Sequence, residues 1–126
     1  DGLRLSVDLF RIRVNNRITL SERFDLGGLT AAQRTALGLG SFDAINFFTN
    51  AAQLETRGVE AVIAYSGKAA GGTFNLNAGY SYFDNRILSV DAPPPQLAAN
   101  GIRGALIGLE ERNTLTTAAP NNRFVV

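Results

Sequence analysis

The chain has 126 residues, with 12 lysines and arginines against 11 aspartates and glutamates, and it contains no histidine or cysteine. This length has room for one domain, and the composition excludes the usual zinc sites, thiol nucleophiles, disulfide frameworks and the most common general base. The scattered charges give no footprint for nucleic acid, and the absence of a run of about 18 apolar residues excludes a transmembrane helix.

Residues 3–20 predict one long strand in which the apolar positions change parity. Apolar residues hold odd positions up to Leu9 and even positions from Phe10 onward. A one-residue bulge between these two would keep one face of the strand apolar throughout. A two-residue turn at Asn15–Asn16 is the alternative interpretation.

Residues 25–44 predict a long loop that contains a short helix. Thr30 followed by Gln33 forms a capping box, and the residues after Thr30 are good helix formers. Gly38 lies where a left-handed cap ends a helix. We therefore expect this loop to have local structure of its own.

Two further strands are predicted at 45–66 and 73–88, joined by a tight glycine-rich turn at 66–72. In Phe74–Tyr82, apolar residues alternate strictly with asparagine, glycine and serine. A period of two indicates an extended strand with an apolar face and a polar face. Such a strand separates lipid or protein core on one side from water on the other.

Residues 89–108 predict a second long loop, because the three prolines of Asp91–Pro95 cannot join a sheet. This loop serves either as a spacer or as a ligand contact. Residues 109–126 alternate weakly and predict a fourth strand, with Pro120 at a bulge, a start or an edge. Long and short connections thus alternate, as in outer-membrane barrels.

Two segments, Ile45–Glu60 and Phe74–Asp84, resemble the barrel of TonB-dependent outer-membrane receptors. They contain an aromatic-asparagine segment, the Arg-Gly-Val-Glu motif of Arg57–Glu60 and a tyrosine-rich hairpin arm. Leu5–Ile18 resembles the strand that precedes them in the family. The resemblance implies an all-β fold over residues 1–126, with antiparallel up-and-down strands forming part of a transmembrane β-barrel and a short helix in a long loop.

The resemblance also implies a function and partners. The chain would form part of the wall of a receptor in the outer membrane of a Gram-negative bacterium, taking up an iron chelate such as a siderophore, cobalamin or a glycan. Its partners would be membrane lipid, the remaining barrel strands and the plug, with the energy-coupling protein reached only through that plug. The chain has no plug, no initiator methionine and no closing strand, so we expect a piece of a longer protein, and in isolation we expect it to self-associate. The alternative is a soluble or surface-displayed β-sandwich used for binding or adhesion.

The faces of the strands follow from the cost of charge in lipid, about 2–4 kcal/mol for an arginine at the membrane midplane. Arg11, Arg13 and Glu60 should therefore face the lumen or stand clear of the membrane. The candidates for lumen-facing or plug-contacting residues are Arg57, Gly58, Glu60 and Gly79. The candidates for lipid-facing or girdle residues are Val59, Ile63, Tyr65, Phe74, Leu76, Tyr80 and Tyr82. Tyr65 and Phe74 would suit an aromatic girdle, although a soluble sheet could hold them as core aromatics.

Several of these candidates have two interpretations. Gly58 and Gly79 would allow either the close approach of a plug or bulky side chain, or a simple bend of the strand. Glu60 would pair either with an arginine of the plug or, within the wall, with Arg57 or another arginine.

We expect no catalysis, cofactor or metal. Two pairs of carboxylates could be considered as acid and base. Nothing in the sequence indicates that Asp84 and Glu60 face a shared cleft, and Glu110 and Glu111, as neighbours, would point to opposite sides of a strand. The glycine-rich turn also lacks the strand-to-helix context and the lysine spacing of a phosphate-binding loop.

Overall fold

The computed structural model describes residues 2–126, apart from the side chain of Ala69. The elements in chain order are β1 (Gly2–Leu20), β2 (Phe24–Asp25), α1 (Ala31–Ala36), β3 (Ala44–Ile45), β4 (Phe48–Ala69), β5 (Gly72–Val90), α2 (Pro95–Ala99), α3 (Leu109–Thr117) and β6 (Asn122–Val125). The main sheet has the antiparallel order β1-β4-β5-β6 and is open, and β2 pairs with β3 in a small second sheet. The predicted all-β fold with antiparallel strands is confirmed. No helix in residues 2–126 is long and apolar enough to cross a membrane.

The pairing of β1 with β4 shows that the predicted bulge is wrong. The register runs without a shift from Gly2 opposite Ser66 to Val14 opposite Leu54. The parity change at Leu9–Phe10 therefore moves the apolar residues to the other face of the sheet.

The Asn15–Asn16 segment marks an irregularity and not a turn. The register shifts between Val14 and Arg17, and Asn16 takes a left-handed φ of 53°, which asparagine tolerates better than most residues. The strand continues past this point to Leu20. The turn alternative is therefore wrong, although the same two asparagines locate the break in the register.

A two-residue turn joins β4 and β5. Ala69 pairs with Gly72, and the residues between them, Ala70 and Gly71, have φ values of 48° and 80°. Two positive φ values are the signature of the type I′ turn, whose twist matches that of the flanking strands. The predicted turn at 66–72 is shorter than expected because the two strands extend into it. We call the end of the sheet at which this turn lies the short-turn end, and the opposite end, where the two long connections lie, the long-loop end.

The two long connections pack together at the long-loop end and contain the buried core of the molecule. The residues of this loop core are Phe24, Leu26, Leu29, Ala51, Leu97, Ile102 and Leu106. Backbone bonds tie the connections to each other and to the strands, including Glu22 N–H to the Leu106 carbonyl (2.9 Å) and Asp91 N–H to the Ala51 carbonyl (2.9 Å). The loops thus form a folded cap on the sheet.

The helix in the first connection forms as the sequence predicts. Thr30 and Gln33 make the reciprocal capping box, and Gly38 has a φ of 70° just after the last turn. The amide of Gly38 donates to the Thr35 carbonyl (3.0 Å) and that of Leu39 to the Arg34 carbonyl (2.8 Å). This bond pair is the Schellman motif, in which a left-handed residue satisfies the last carbonyls of a helix.

The second connection differs most from the prediction, because most of the expected fourth strand is helical. Residues 109–117 form α3, and only Asn122–Val125 pair with β5. Acidic Glu110 and Glu111 occupy the first turn, where they interact favourably with the helix dipole. The hydroxyls of Thr114, Thr116 and Thr117 donate to backbone carbonyls four residues earlier, so the hydrogen bonds of these side chains are made within the helix.

We expect Leu26→Ala to loosen the cap without unfolding the sheet. Leu26 is fully buried in the loop core, and removing a buried leucine side chain costs about 2–5 kcal/mol. Limited proteolysis of the folded protein should then cut within the two connections. The control is Leu37→Ala in the same connection, where the side chain is exposed. Equal cleavage of both variants would contradict a packed cap.

Candidate functional site

One face of the sheet carries a continuous apolar band, which we call the band face. Side chains of paired residues share a face, so the register identifies its members. The band consists of Leu3, Leu5, Val7, Leu9, Val59, Ala61, Ile63, Tyr65, Phe74, Leu76, Ala78, Tyr80, Tyr82 and Phe124. These side chains are largely uncovered, with exposed fractions of 68% for Leu5, 77% for Leu9 and 52% for Phe74.

The polar face lies on the other side of the same rows. Its members over the height of the band are Arg4, Ser6, Asp8, Glu60, Val62, Ala64, Ser66, Asn75, Asn77, Gly79 and Ser81. Charged, hydroxyl, amide and small groups dominate this set. The sheet is therefore apolar on one side and mainly polar on the other between the short turn and the end of the band.

All three long strands end the apolar band at the same level. Leu9, Val59 and Tyr82 form the last row of the band, and the next row, with Phe10 and Phe83 beside Gly58, places its aromatic rings on the polar face. One strand changing parity would suggest a local irregularity. Three strands changing together indicate a boundary between two environments that cuts across the sheet.

The height of the band suits a hydrocarbon layer. From Phe74 to Tyr82 the band spans about 26 Å along the strand, which at the usual barrel tilt of about 40° corresponds to about 20 Å, close to the ~25 Å of known lipid-facing bands. Aromatic residues lie at both rims, with Tyr65 and Phe74 in contact at 6.4 Å between ring centroids at the short-turn end. Tyr82 lies at the other rim. The strands, of 19 to 22 residues, continue well beyond it.

A charged block lies on the band face directly beyond the last apolar row. Its first row is Arg11, Arg57 and Asp84, and its second is Arg13, Glu55 and Arg86. The Nε atoms of Arg11, Arg13 and Arg57 donate to the Glu55 carboxylate at 2.6, 2.8 and 2.5 Å. Arg86 Nε donates to Asp84 at 2.6 Å. We call these six residues the arginine block.

Glu55 is the anchor of the arginine block. Its side chain is 1% exposed, whereas the three guanidinium-bearing side chains around it are about half exposed. Glu55 lies beyond the apolar band, and the hydrogen bonds from Arg13, Arg11 and Arg57 outweigh burial and lower its pKa from the ordinary 4.5 to about 2. The carboxylate thus stays charged at any physiological pH and holds three cations together.

The sequence-predicted candidates fall on both faces. Val59, Ile63, Tyr65, Phe74, Leu76, Tyr80 and Tyr82 all lie on the band face, and that lipid covers them stays a prediction. Gly58, Glu60 and Gly79 share the opposite face. Arg57 does not join them, because neighbouring residues of a strand point to opposite sides. Arg11 and Arg13 do not face the polar side either: they lie on the face of the band, beyond its last apolar row.

One interpretation of the sequence paired Glu60 with Arg57, and this interpretation is wrong. The two residues are three positions apart on one strand and so lie on opposite faces, and Arg57 binds Glu55 instead. Within residues 2–126, Glu60 makes no ion pair and lies in register with Asp8 and Ser81 on the polar face.

The two glycines of the polar face differ in their surroundings. A Cβ on Gly58 would overlap the Phe10 ring and come within 2.7 Å of the Tyr82 carbonyl oxygen. The ring of Phe10 thus crosses over Gly58 towards Phe83, with ring centroids 5.7 Å apart. This is the close approach of a bulky neighbour that the sequence predicted as one option. At Gly79 the nearest atom, the Ala61 oxygen, is 4.0 Å away.

A depression at the long-loop end was not predicted. It lies between the end of β1 and α3 and is lined by residues that include Glu22, Asn46 and Glu111. The Glu22 carboxylate packs against Gly108, where a side chain would have no room, and Thr19 donates a hydrogen bond to Glu111. No sequence signal marked this junction, because its parts come from connections far apart in the chain.

Comparison with known proteins bears directly on this wall. The family model described as "TonB dependent receptor-like, beta-barrel" matches residues 1–123. The chain belongs to this family. No curated protein and no solved structure shows significant similarity to the chain. Membership of the TonB-dependent receptor family confirms the predicted resemblance and makes the sheet a stretch of receptor barrel wall, which accounts for its open edges in residues 2–126.

Acid should remove the stabilisation that Glu55 brings to the receptor wall. Its pKa is lowered in the folded state, so its contribution is complete above about pH 4.5 and disappears as the pH falls towards 2. We expect Glu55→Gln to lower the free energy of unfolding at neutral pH and to converge with the unmodified receptor between these two values. The matched control is Glu60→Gln, which removes a carboxylate that makes no ion pair within residues 2–126 and should leave the free energy of unfolding at neutral pH close to that of the unmodified receptor. A Glu55→Gln deficit that stays constant down to the acid limit would contradict the ion cluster.

Proposed function

We propose that this chain forms part of the barrel wall of a receptor in the outer membrane of a Gram-negative bacterium that takes up a scarce nutrient. The observation that carries the proposal is the parity change shared by three strands, which bounds an apolar band with aromatic rims. In this arrangement lipid contacts the band face, the polar face lines the lumen beside the plug, and the long-loop end faces the outside.

The exposure of the band supports a membrane location over the alternative of a β-sandwich. In a sandwich a second sheet covers the apolar face of the first, with the two about 10 Å apart. Here Leu5, Leu9 and Phe74 are more than half exposed. Soluble monomers rarely expose a contiguous apolar surface of this extent, so outside a membrane we expect the chain to associate with other copies through the band.

The folded cap supports a role in ligand capture. Loops carried on a rigid scaffold hold binding residues in many proteins, and a cap with its own core keeps such residues in place. We propose an iron chelate, cobalamin or a glycan as the nutrient, and we assign no catalysis, cofactor or metal site to the chain. The energy-coupling protein would act through the plug of the receptor.

The proposal is tested in cells that lack the receptor gene. The cells are grown with an iron chelate as the sole source of iron, with cobalamin as the sole source of that vitamin, or with a glycan as the sole source of carbon. They should fail to grow under one of these three conditions, and the intact gene should restore growth. The receptor should fractionate with the outer membrane. A receptor found in the soluble fraction, or normal uptake of all three nutrients without it, would contradict the proposal.

A further inference from the structure

The arginine block contains more positive charge than it can neutralise. Four guanidinium groups face two carboxylates, and three of the four converge on the single carboxylate of Glu55. A buried acid paired with one arginine would already be satisfied. The additional arginines leave an electropositive surface on a face that is otherwise apolar.

The geometry of the arginines leaves donors available. Arg13 and Arg57 bind Glu55 through Nε, and within residues 2–126 their terminal nitrogens make no other hydrogen bond or ion pair. About half of each side chain is exposed, 55% for Arg13 and 49% for Arg57. Because Glu55 fixes the guanidinium planes, these nitrogens are held in place for a second anion. Guanidinium groups match the oxygens of a phosphate in two-point hydrogen bonds.

The position of the block identifies the kind of anion. The first row of the block follows the last apolar row of Leu9, Val59 and Tyr82 by two residues, which is about 7 Å along the strand. In a bilayer, the headgroup layer beyond the hydrocarbon is about 5–8 Å thick on each side. A lipid phosphate at the height of Arg11 and Arg57 would thus have its acyl chains beside the apolar band.

We propose that the arginine block binds the phosphate of a membrane lipid in the leaflet on the long-loop side, with the lipid chains lying along the band. This inference rests on the membrane orientation of the proposed function. It assigns a ligand to the outside of the wall, separate from the nutrient. The bound lipid would supply the negative charge that the block lacks.

The test uses the purified full-length receptor in a non-ionic detergent, with bound lipids counted by native mass spectrometry. The probes are phosphatidic acid, phosphatidylcholine and inorganic phosphate. We expect phosphatidic acid to bind best, and the double variant Arg13→Gln/Arg57→Gln to bind it roughly tenfold less tightly or worse. The matched control, Arg4→Gln/Arg123→Gln, removes the same charge from the polar face and should bind as the unmodified receptor does.

A second variant covers the case in which the double variant does not fold. Arg13→Lys/Arg57→Lys keeps the positive charge of the block and the partners of Glu55 but loses the two-point hydrogen bonds to phosphate, so it should bind phosphatidic acid less tightly than the unmodified receptor. Equal binding of phosphatidic acid and phosphatidylcholine, binding of inorganic phosphate as tight as that of the lipid, or unchanged binding in Arg13→Lys/Arg57→Lys would each overturn the inference. If one of these results is obtained but the receptor still inserts into bilayers, only the lipid-binding inference fails and the proposed function stands. If the receptor does not insert into bilayers, the proposed function itself fails.

Discussion

Replacing Ile63 by arginine is expected to prevent stable insertion of the receptor into a bilayer. Ile63 lies in the middle row of the apolar band, between Leu5 of β1 and Ala78 of β5. An arginine facing lipid at this depth costs about 2–4 kcal/mol, a large part of the stability of a typical domain. Urea titration of the receptor refolded into lipid vesicles should show this loss as a lower unfolding midpoint and a smaller folded fraction.

The matched control for Ile63→Arg is Val62→Arg. Val62 is the next residue on the same strand, is half exposed, and lies between Ser6 and Gly79 on the polar face. There an arginine would extend into the lumen, where water can solvate it. We expect its unfolding midpoint to stay close to that of the unmodified receptor. A larger loss for Val62→Arg would reverse the assignment of the two faces.

Gly58→Ala is expected to destabilise the wall by about 1–3 kcal/mol, the usual cost of overpacking. The added methyl group would collide with the Phe10 ring and press against the Tyr82 carbonyl oxygen, so either the ring must leave or the strands must separate. Thermal unfolding of the receptor, followed by its change in mobility on a denaturing gel, measures the effect. Gly79→Ala is the control on the same face, because the atom nearest to a methyl group there, the Ala61 oxygen, is 4.0 Å away and would not be displaced.

The partner of the clash at Gly58 can be identified with a double variant. If Phe10 causes most of the cost, Phe10→Ala combined with Gly58→Ala should be less destabilising than the sum of the two single changes. Strict additivity would show that the ring does not lie over the glycine. It would also remove the explanation for a glycine in the middle of a long strand.

The period-two patterns predicted the long strands well, because alternation reports directly which side of a sheet each residue faces. The interpretation of the parity change failed for an equally physical reason. One strand read alone cannot distinguish a bulge at Leu9–Phe10 from a change of environment. The same change at Gly58–Val59 and Tyr82–Phe83 is visible in the sequence, and only the register shows that the three lie side by side.

The cap and the arginine block were beyond sequence reasoning, because both depend on contacts between distant residues. Leu26 and Leu97 lie in different connections and show no period, so nothing marked them as partners. Arg11, Arg13 and Glu55 come together only through the pairing of β1 with β4. In α3, the hydroxyls of Thr114, Thr116 and Thr117 donate to carbonyls of their own helix, which the weak alternation of residues 109–126 did not indicate.

A pair of cysteine labels tests most directly whether the band face touches lipid in the receptor. The chain has no cysteine, so Ile63→Cys and Val62→Cys each introduce one site for a spin label within it. In the receptor reconstituted into vesicles, the label at 63 should collide mainly with oxygen, which concentrates in the hydrocarbon, and the label at 62 should be shielded from lipid. Equal lipid access at both positions, or access only at 62, would contradict a membrane wall with this orientation.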